Sequence, residues 1–195
     1  MTYLAQGNSE NIESLVFQVV ETGIGKNLMR LFLSTGSLKL SKVFAYLCMG
    51  NKREVQKLLN SGLLKILMES LAHSTNPKLS SNIVWALTNI CQACIEFRDK
   101  IAVSTPLIFE MLTNLFEFYQ YDFLLHFEII YFTSSMMNYG NFQTEEFYQT
   151  YTVGIDLLCQ GLKTFEFKDE LDKRETHYLF NIVSSLLQLS EIDAR

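Results

Sequence analysis

The stretch LLKILMESLAHSTNPKLSSNIVWALTNICQAC, residues 63–94, contains two helical patterns separated by a polar break. In the second pattern the apolar positions fall within one arc of roughly 140°, at about 100° per residue, as on one face of an α-helix. These positions are Ile83, Val84, Leu87, Ile90, Cys91, Cys94 and Ile95. The break contains Asn76-Pro77, which predicts a turn before the longer helix. The stretch therefore predicts a short helix, a turn and a longer helix.

The same organisation recurs along the chain. A turn residue, an apolar helix, a polar break and a longer helix repeat, and the four turn residues are Gly23, Gly62, Thr105 and Thr152. A period of about 40–47 residues with two or three helices per repeat is typical of armadillo and HEAT arrays. Alternating strand patterns with tight hairpin turns are absent from the sequence. We therefore predict an all-α fold, a right-handed α-solenoid of about four armadillo-type repeats.

One repeat cannot bury its apolar faces alone, so neighbouring repeats are expected to stack into a single domain. The predicted domain is 1–195, with a partial repeat at 11–22 and repeats at 23–61, 62–104, 105–151 and 152–195. The C-terminal helix is expected to present a polar outer face as a cap, formed by the interspersed Asn181, Ser184, Ser185, Gln188 and Glu191. The charge-dense segment 166–175 is expected to be a solvated loop.

Composition excludes several classes of protein. The chain has 195 residues, 48% of them hydrophobic and 19% charged, with a net charge of −5, so it can bury a core and is not a disordered chain. It shows no basic stripe of the kind that nucleic-acid binding needs. Its most hydrophobic stretch, 115–137, contains four ionisable groups, Glu117, Asp122, His126 and Glu128, which are too costly inside a membrane. We therefore expect a soluble chain that binds neither nucleic acid nor membrane.

Cysteine usage indicates a reducing compartment. Cys48, Cys91, Cys94 and Cys159 are sparsely spaced, and the polar segment 1–10 does not resemble a targeting signal. The thiols are therefore expected to be reduced, in the cytoplasm or the nucleus. The pair Cys91 and Cys94 forms a lone C-x-x-C. Core packing is one interpretation of it, and a metal or redox site is the other.

No set of residues indicates catalysis. A phosphate-binding loop, a complete dinucleotide loop and a nucleophile elbow are all absent from the sequence. The three histidines, His73, His126 and His177, are far apart and lack metal-ligand spacing. We predict that the protein is not an enzyme and has no cofactor, no metal ion and no small-molecule substrate.

Trp85 does not lie on the apolar arc of its helix. Asn89 is four residues further on and shares the face of Trp85, and Gln92 and Glu96 continue that stripe by the same spacing. We predict that Trp85, Asn89, Gln92 and Glu96 contact a partner polypeptide. Two alternatives remain open, since the Trp85 indole could be covered by a neighbouring repeat or chain and the Asn89 amide could bind a backbone of this chain.

Residues 63–94 resemble one armadillo repeat of the importin-α family. Inner helices of that family carry W-x-x-x-N within a W-A-L-x-N-I sequence, and the matching residues here are Trp85, Ala86, Leu87, Asn89 and Ile90. The resemblance implies that the Trp packs on a Lys or Arg stem of a nuclear localisation signal and that the Asn binds the backbone of that extended peptide. Cation–π attraction and an amide with both donor and acceptor suit these two roles.

The sequence also departs from importin-α. That family repeats the Trp/Asn pair on successive inner helices, whereas the corresponding positions here are expected to be Phe44 and Cys48 in one repeat and Tyr131 and Ser135 in another. The residues before Leu15 contain no Lys or Arg, unlike the basic segment with which the family binds importin-β. We therefore expect a protein-binding scaffold or adaptor resembling a shortened importin-α, within a larger assembly. The alternative is a nuclear import receptor, a protein-transport function, that binds Lys-rich nuclear localisation signals.

More than half of the Phe and Tyr residues lie within 116–151. Large exposed aromatic patches mark interaction surfaces, and Tyr is enriched in interface cores. Tyr119, Tyr121 and Tyr131 are therefore predicted to belong to a partner surface. The alternative is a Phe-rich core.

Overall fold

The computed structural model describes residues 16–104, 107–137, 145–166 and 170–193, and every regular element in these ranges is helical. Residues 16–21 are helical and lead into the first complete helix. The helices are α1 Ile24–Thr35, α2 Leu38–Leu47, α3 Lys52–Asn60, α4 Leu63–Ala72, α5 Pro77–Ala93, α6 Ile95–Ser104, α7 Ile108–Phe118, α8 Phe123–Met137, α9 Glu145–Thr164 and α10 Lys173–Asp193. The predicted all-α class is confirmed.

The chain forms two compact halves, 1–93 and 94–195, which are described separately. In the N-terminal half, α2 and α5 lie along each other and α4 packs on α5. Phe32 and Phe44 meet edge to face in the core, with ring centroids 5.4 Å apart. The predicted apolar arc of α5 is buried as far as Cys91, whereas Ile95 is exposed because α5 ends at Ala93.

Predicted turns in the N-terminal half are confirmed. Gly23 and Gly62 precede α1 and α4 with φ of 71° and 95°, a left-handed conformation that glycine adopts without the strain of a Cβ. Asn76 precedes Pro77, the first residue of α5, and its Oδ1 accepts from the Lys78 N–H at 3.0 Å. The Asn side chain therefore supplies an acceptor that the first turn of a helix lacks.

A capping box at the start of α3 was not predicted. Asn51 Oδ1 accepts from the Arg53 and Glu54 N–H groups at 3.0 and 3.1 Å, and Glu54 Oε2 accepts from the Asn51 N–H at 2.9 Å. This reciprocal pairing satisfies backbone donors that a helix start otherwise leaves open.

Replacing Asn51 by Ala will lower the free energy of unfolding of the N-terminal half by about 1 kcal/mol, because the first turn of α3 loses its side-chain acceptor. Urea titration followed by Trp85 emission measures this loss. Asn51→Asp keeps an acceptor and is the control, which should stay within about 0.5 kcal/mol of the parent. Equal losses in both variants would contradict the capping role.

The C-terminal half packs α9 and α10 against α8. Its core includes Phe109, Leu112, Ile129, Phe132, Leu157 and Ile182. Ser134 of α8 and Ser185 of α10 form a buried hydroxyl pair at 2.7 Å. Gly161 permits close approach, since a Cβ there would lie 2.7 Å from Ile130 Cδ1 and 2.8 Å from Tyr178 Oη.

Two predicted turn residues differ in outcome. Thr152 lies inside α9, so its prediction as a turn residue is wrong, because Thr is tolerated in a helix interior at small cost. Thr105 lies outside the described residues. The predicted repeat boundaries stay a prediction.

The predicted polar outer face of α10 is correct only in part. Asn181 and Ser185 are buried, where Ser185 pairs with Ser134, whereas Gln188 is exposed beside exposed apolar side chains. Phe180, Val183 and Leu187 are 65%, 46% and 61% exposed. The buried Ser134 hydroxyl explains why Ser185 turns inward.

The predicted loop 166–175 is correct only in part. Residues 167–169 lie outside the described ranges, and α10 begins at Lys173. Asp172 Oδ1 accepts from the Arg174 and Glu175 N–H groups at 2.7 and 2.9 Å, so the last residues of the segment form a capped helix start.

Among the described helices, none has both the length and the apolar character needed to cross a membrane.

Candidate functional site

A partly exposed pair of aromatic rings lies on α2 and α5 in the N-terminal half. Trp85 lies off the buried arc of α5, as predicted, and Tyr46 of α2 is 37% exposed. The two rings meet edge to face, with centroids 5.2 Å apart and an interplanar angle of 76°. Each ring therefore restricts the other's rotamers while leaving apolar area open to solvent. We call the surface formed by Lys42, Tyr46, Asn82, Trp85 and Asn89 the tryptophan strip.

Two asparagines of the tryptophan strip bind α2. Asn82 Nδ2 donates to Ser41 Oγ at 3.0 Å, and two helical turns later Asn89 Nδ2 donates to the Ala45 carbonyl oxygen at 2.9 Å. Asn89 thus makes the intrachain backbone contact that was one of the open alternatives. The two bonds fix how α5 lies along α2 and hold Trp85 beside Tyr46.

The other two residues predicted on this stripe are separated by a helix end. Gln92 is exposed in the last turn of α5, whereas Glu96 is exposed on α6, in the C-terminal half. Because α5 ends at Ala93, helical spacing from Trp85 does not extend to Glu96. The spacing argument for Glu96 is therefore wrong.

The tryptophan strip is positively charged. Helices α2 and α5 contain Lys39, Lys42 and Lys78 and no Asp or Glu, and all three lysines are exposed. The Lys42 ammonium lies 6.0 Å from the centroid of the Tyr46 ring, within the range of a cation–π contact. A cation of this chain thus already lies over one ring of the aromatic pair.

The expected counterparts of Trp85 and Asn89 in the preceding repeat, Phe44 and Cys48, do not lie on the tryptophan strip. Phe44 and Cys48 are both 0% exposed and belong to the core. Burial raises the pKa of the Cys48 thiol, since the thiolate would lie in apolar surroundings. Cys91 is buried too, which fits the core-packing interpretation. Tyr46 was not predicted as a site residue, although it falls outside the apolar arc of α2.

The aromatic block divides between core and surface. Phe116 and Phe132 are buried, whereas Phe118 and Tyr121 are 78% and 98% exposed. Tyr119 is partly exposed and lies edge-on to Phe118, with ring centroids 4.8 Å apart. Part of the block therefore belongs to the core and part lies on the surface, and a partner for the exposed residues stays a prediction. Tyr139 and Phe142 lie outside the described residues.

Tyr131 lies apart from this exposed group. It is partly exposed on α8, with its ring centroid 6.1 Å from that of Phe127 and 5.5 Å from that of His177. Desolvation by burial lowers the pKa of His177. Tyr131 thus belongs to a cluster formed by α8 and α10.

Two ionisable groups with shifted pKa values lie on α8, the buried His126 and the partly buried Glu128. His126 Nε2 lies 3.0 Å from the Phe116 carbonyl oxygen, and desolvation by burial lowers the pKa of His126. Desolvation also raises the pKa of Glu128 to about 8, against the opposing charge of Arg174. Both shifts favour the neutral side chain.

The described residues contain no group of three His, Cys, Asp or Glu that could hold a metal ion.

Comparison with known proteins identifies the fold. A model of the Armadillo/beta-catenin-like repeat family matches residues 51–92, which covers α3, α4 and most of α5. No curated protein matches the chain.

Several solved structures are similar to the chain. A designed armadillo repeat protein in complex with peptide (KR)4 is 17% identical with a TM-score of 0.68, covering 89% of this chain and 68% of that one. An engineered protein is 18% identical with a TM-score of 0.68, over 93% and 74% of the two chains. A second designed armadillo repeat protein is 14% identical with a TM-score of 0.60, over 89% and 87%. The predicted armadillo-type fold is confirmed.

Proposed function

We propose that this chain is a non-enzymatic protein-binding scaffold or adaptor that holds an extended segment of a partner on the tryptophan strip, within a larger assembly. The observation that carries the proposal is the partly exposed Tyr46–Trp85 pair, held on two helices whose relative position is fixed by the Asn82 and Asn89 hydrogen bonds. A rigid aromatic pair offers contact area at small entropic cost on binding.

The charge of the strip supports a partner with acidic residues. The exposed cations Lys39, Lys42 and Lys78 are not balanced by any carboxylate on α2 or α5. A partner carboxylate near Lys42 would gain a charge-assisted hydrogen bond, and an apolar partner side chain would cover the two rings. Asn89 also has a second N–H and a carbonyl oxygen that suit an extended backbone.

A second candidate is the nuclear import receptor that binds Lys-rich nuclear localisation signals. The Trp85 and Asn89 pair supports it, and the designed armadillo protein described above was solved with a peptide of Lys and Arg residues. The exposed lysines Lys39, Lys42 and Lys78 of α2 and α5 weigh against it, because they would repel a basic peptide, and Lys42 already lies over Tyr46.

Two labelled peptides that differ only in charge separate these candidates. Fluorescence anisotropy should detect binding of Ac-Glu-Glu-Leu-Phe-Glu-Glu-NH2 at about 100 µM or tighter, and much weaker binding of the peptide in which every Glu is Lys. Trp85→Ala should weaken the acidic peptide about tenfold, because one ring of the pair is removed. Lys42→Gln should weaken it and reduce its salt dependence.

The matched control is Lys65→Gln, which removes an exposed lysine from α4 and should leave the affinity unchanged. Tighter binding of the Lys peptide that is lost in Trp85→Ala would favour the import receptor. Binding of neither peptide at about 1 mM, an affinity near −4 kcal/mol, would refute the proposed role of the strip.

A further inference from the structure

A cleft of about 820 Å³ opens in the C-terminal half, between the α7–α8 and α9–α10 connections. Glu117 in the last turn of α7 and Tyr121 after that helix line one side, and Phe165 and Glu166, which follow α9, line the other. Phe123 at the start of α8 and Gln160 in α9 also line the cleft. We call these six residues the acidic cleft. None of them belongs to the tryptophan strip.

Aromatic rings form one wall of the acidic cleft. The buried Tyr178 ring lies between Phe123 and Phe165, with a centroid separation of 5.6 Å on each side. The Tyr178 hydroxyl donates to the Gly161 carbonyl oxygen at 3.3 Å, which holds this central ring in place. Phe123 is 39% exposed and Tyr121 is 98% exposed, so ring faces are available to a ligand. The buried Tyr178 ring therefore supports the aromatic wall, while the exposed rings remain accessible to a ligand.

The charged groups lining the cleft are all carboxylates. Glu117 and Glu166 are exposed, and Glu175 lies at the start of α10, while the described lining residues include no Lys or Arg. His126 adds no positive charge at neutral pH, since burial lowers its pKa. Gln160 Oε1 is a buried acceptor without a hydrogen-bond partner among the described residues. The charges on the described lining residues therefore favour a cationic ligand.

We infer that the acidic cleft binds an arginine side chain of a partner polypeptide. A guanidinium has five donors and no acceptor, which suits a cleft whose charged lining groups are carboxylates. Its planar cation stacks on aromatic faces and pairs with carboxylates in a fork, which a lysine ammonium cannot do. Rings and carboxylates occur together on this cleft, so both kinds of contact are available to one side chain.

The test uses the 15N-labelled full chain and three peptides, Ac-Gly-Xaa-Gly-NH2 with Xaa as Arg, Lys or citrulline. Citrulline keeps the shape of arginine but has no charge. We expect the Arg peptide to shift the amide signals of Tyr121, Gln160 and Phe165 in a saturable way. The citrulline peptide should bind about fivefold more weakly or not at all, and the Lys peptide should lie between them.

Variants locate the site. Glu117→Gln combined with Glu166→Gln should weaken the Arg peptide at least about fivefold, because both changes remove charge at exposed positions and leave the core intact. Glu110→Gln is the matched control, since Glu110 is exposed on the same helix as Glu117 but does not line the cleft. Trp85→Ala should leave this binding unchanged, so a failure of the tryptophan strip and a failure of the acidic cleft are distinguishable.

Three results would overturn the inference. Equal affinity for the Arg and citrulline peptides would show that charge does not drive binding. An equal loss in Glu110→Gln and in the double variant would show that the cleft carboxylates have no special role. Free arginine binding at least as tightly as the peptide would show that the ligand is a small molecule rather than a polypeptide.

Discussion

Replacing Phe44 by Ala will lower the free energy of unfolding of the N-terminal half by about 3–5 kcal/mol. The Phe44 ring is 0% exposed and packs edge-on against Phe32, so its removal leaves a cavity between α1 and α2 that the surrounding side chains fill only in part. A loss of this size is a large share of the stability of a small domain.

Trp85 is the single tryptophan of the chain, and it lies in the N-terminal half, so its emission during urea titration follows this half. Tyr46→Ala, two residues along the same helix, is the control. It removes a ring that is 37% exposed and one aromatic contact, which predicts a loss of about 1 kcal/mol. A larger loss for Tyr46→Ala than for Phe44→Ala would contradict the assignment of these two rings to surface and core.

Replacing Glu128 by Gln will stabilise the C-terminal half at high pH and have little effect at low pH. The pKa of Glu128 is raised from 4.5 to about 8 by desolvation, so between these values the folded chain holds a proton that the unfolded chain has released. The stability of the parent therefore falls as pH rises through this window, and Gln removes that dependence. The variant should be more stable by roughly 4 kcal/mol at pH 8, an order-of-magnitude figure from 1.36 kcal/mol per pKa unit.

Urea unfolding followed by far-UV circular dichroism at pH 5, 7 and 8 measures this difference, and Trp85 emission identifies the part of the signal that belongs to the N-terminal half. The lowered pKa of His126 acts in the opposite direction, since it removes stability as pH falls below its usual value. That contribution is common to parent and variant and cancels in the comparison. Glu110→Gln, at an exposed position, should show no such pH dependence. A Glu128→Gln effect of the same size at all three pH values would contradict the prediction.

The helices and several turns followed from local sequence. Apolar periodicity placed the buried arc of α5 and left Trp85 outside it, and Gly23 and Gly62 marked turns because they adopt positive φ. Thr152 failed as a turn residue because it requires no unusual backbone conformation. Local patterns therefore located turns best where the residue type is tied to a particular φ.

Contacts between distant segments could not be predicted from sequence. The Asn89 bond to Ala45 joins residues 44 apart, and it depends on how far α5 lies along α2, which periodicity does not determine. The ring partner of Trp85, Tyr46, depends on the same register. The acidic cleft likewise combines side chains from two segments that are far apart in sequence, 117–123 and 160–166.

The buried Cys48 thiol can be used to detect transient opening of the N-terminal half. This thiol is 0% exposed and has a raised pKa, so an alkylating reagent can reach the reactive thiolate only during transient opening. The rate at which Cys48 is alkylated, measured by peptide mass spectrometry, therefore reports how often the core around it opens under native conditions.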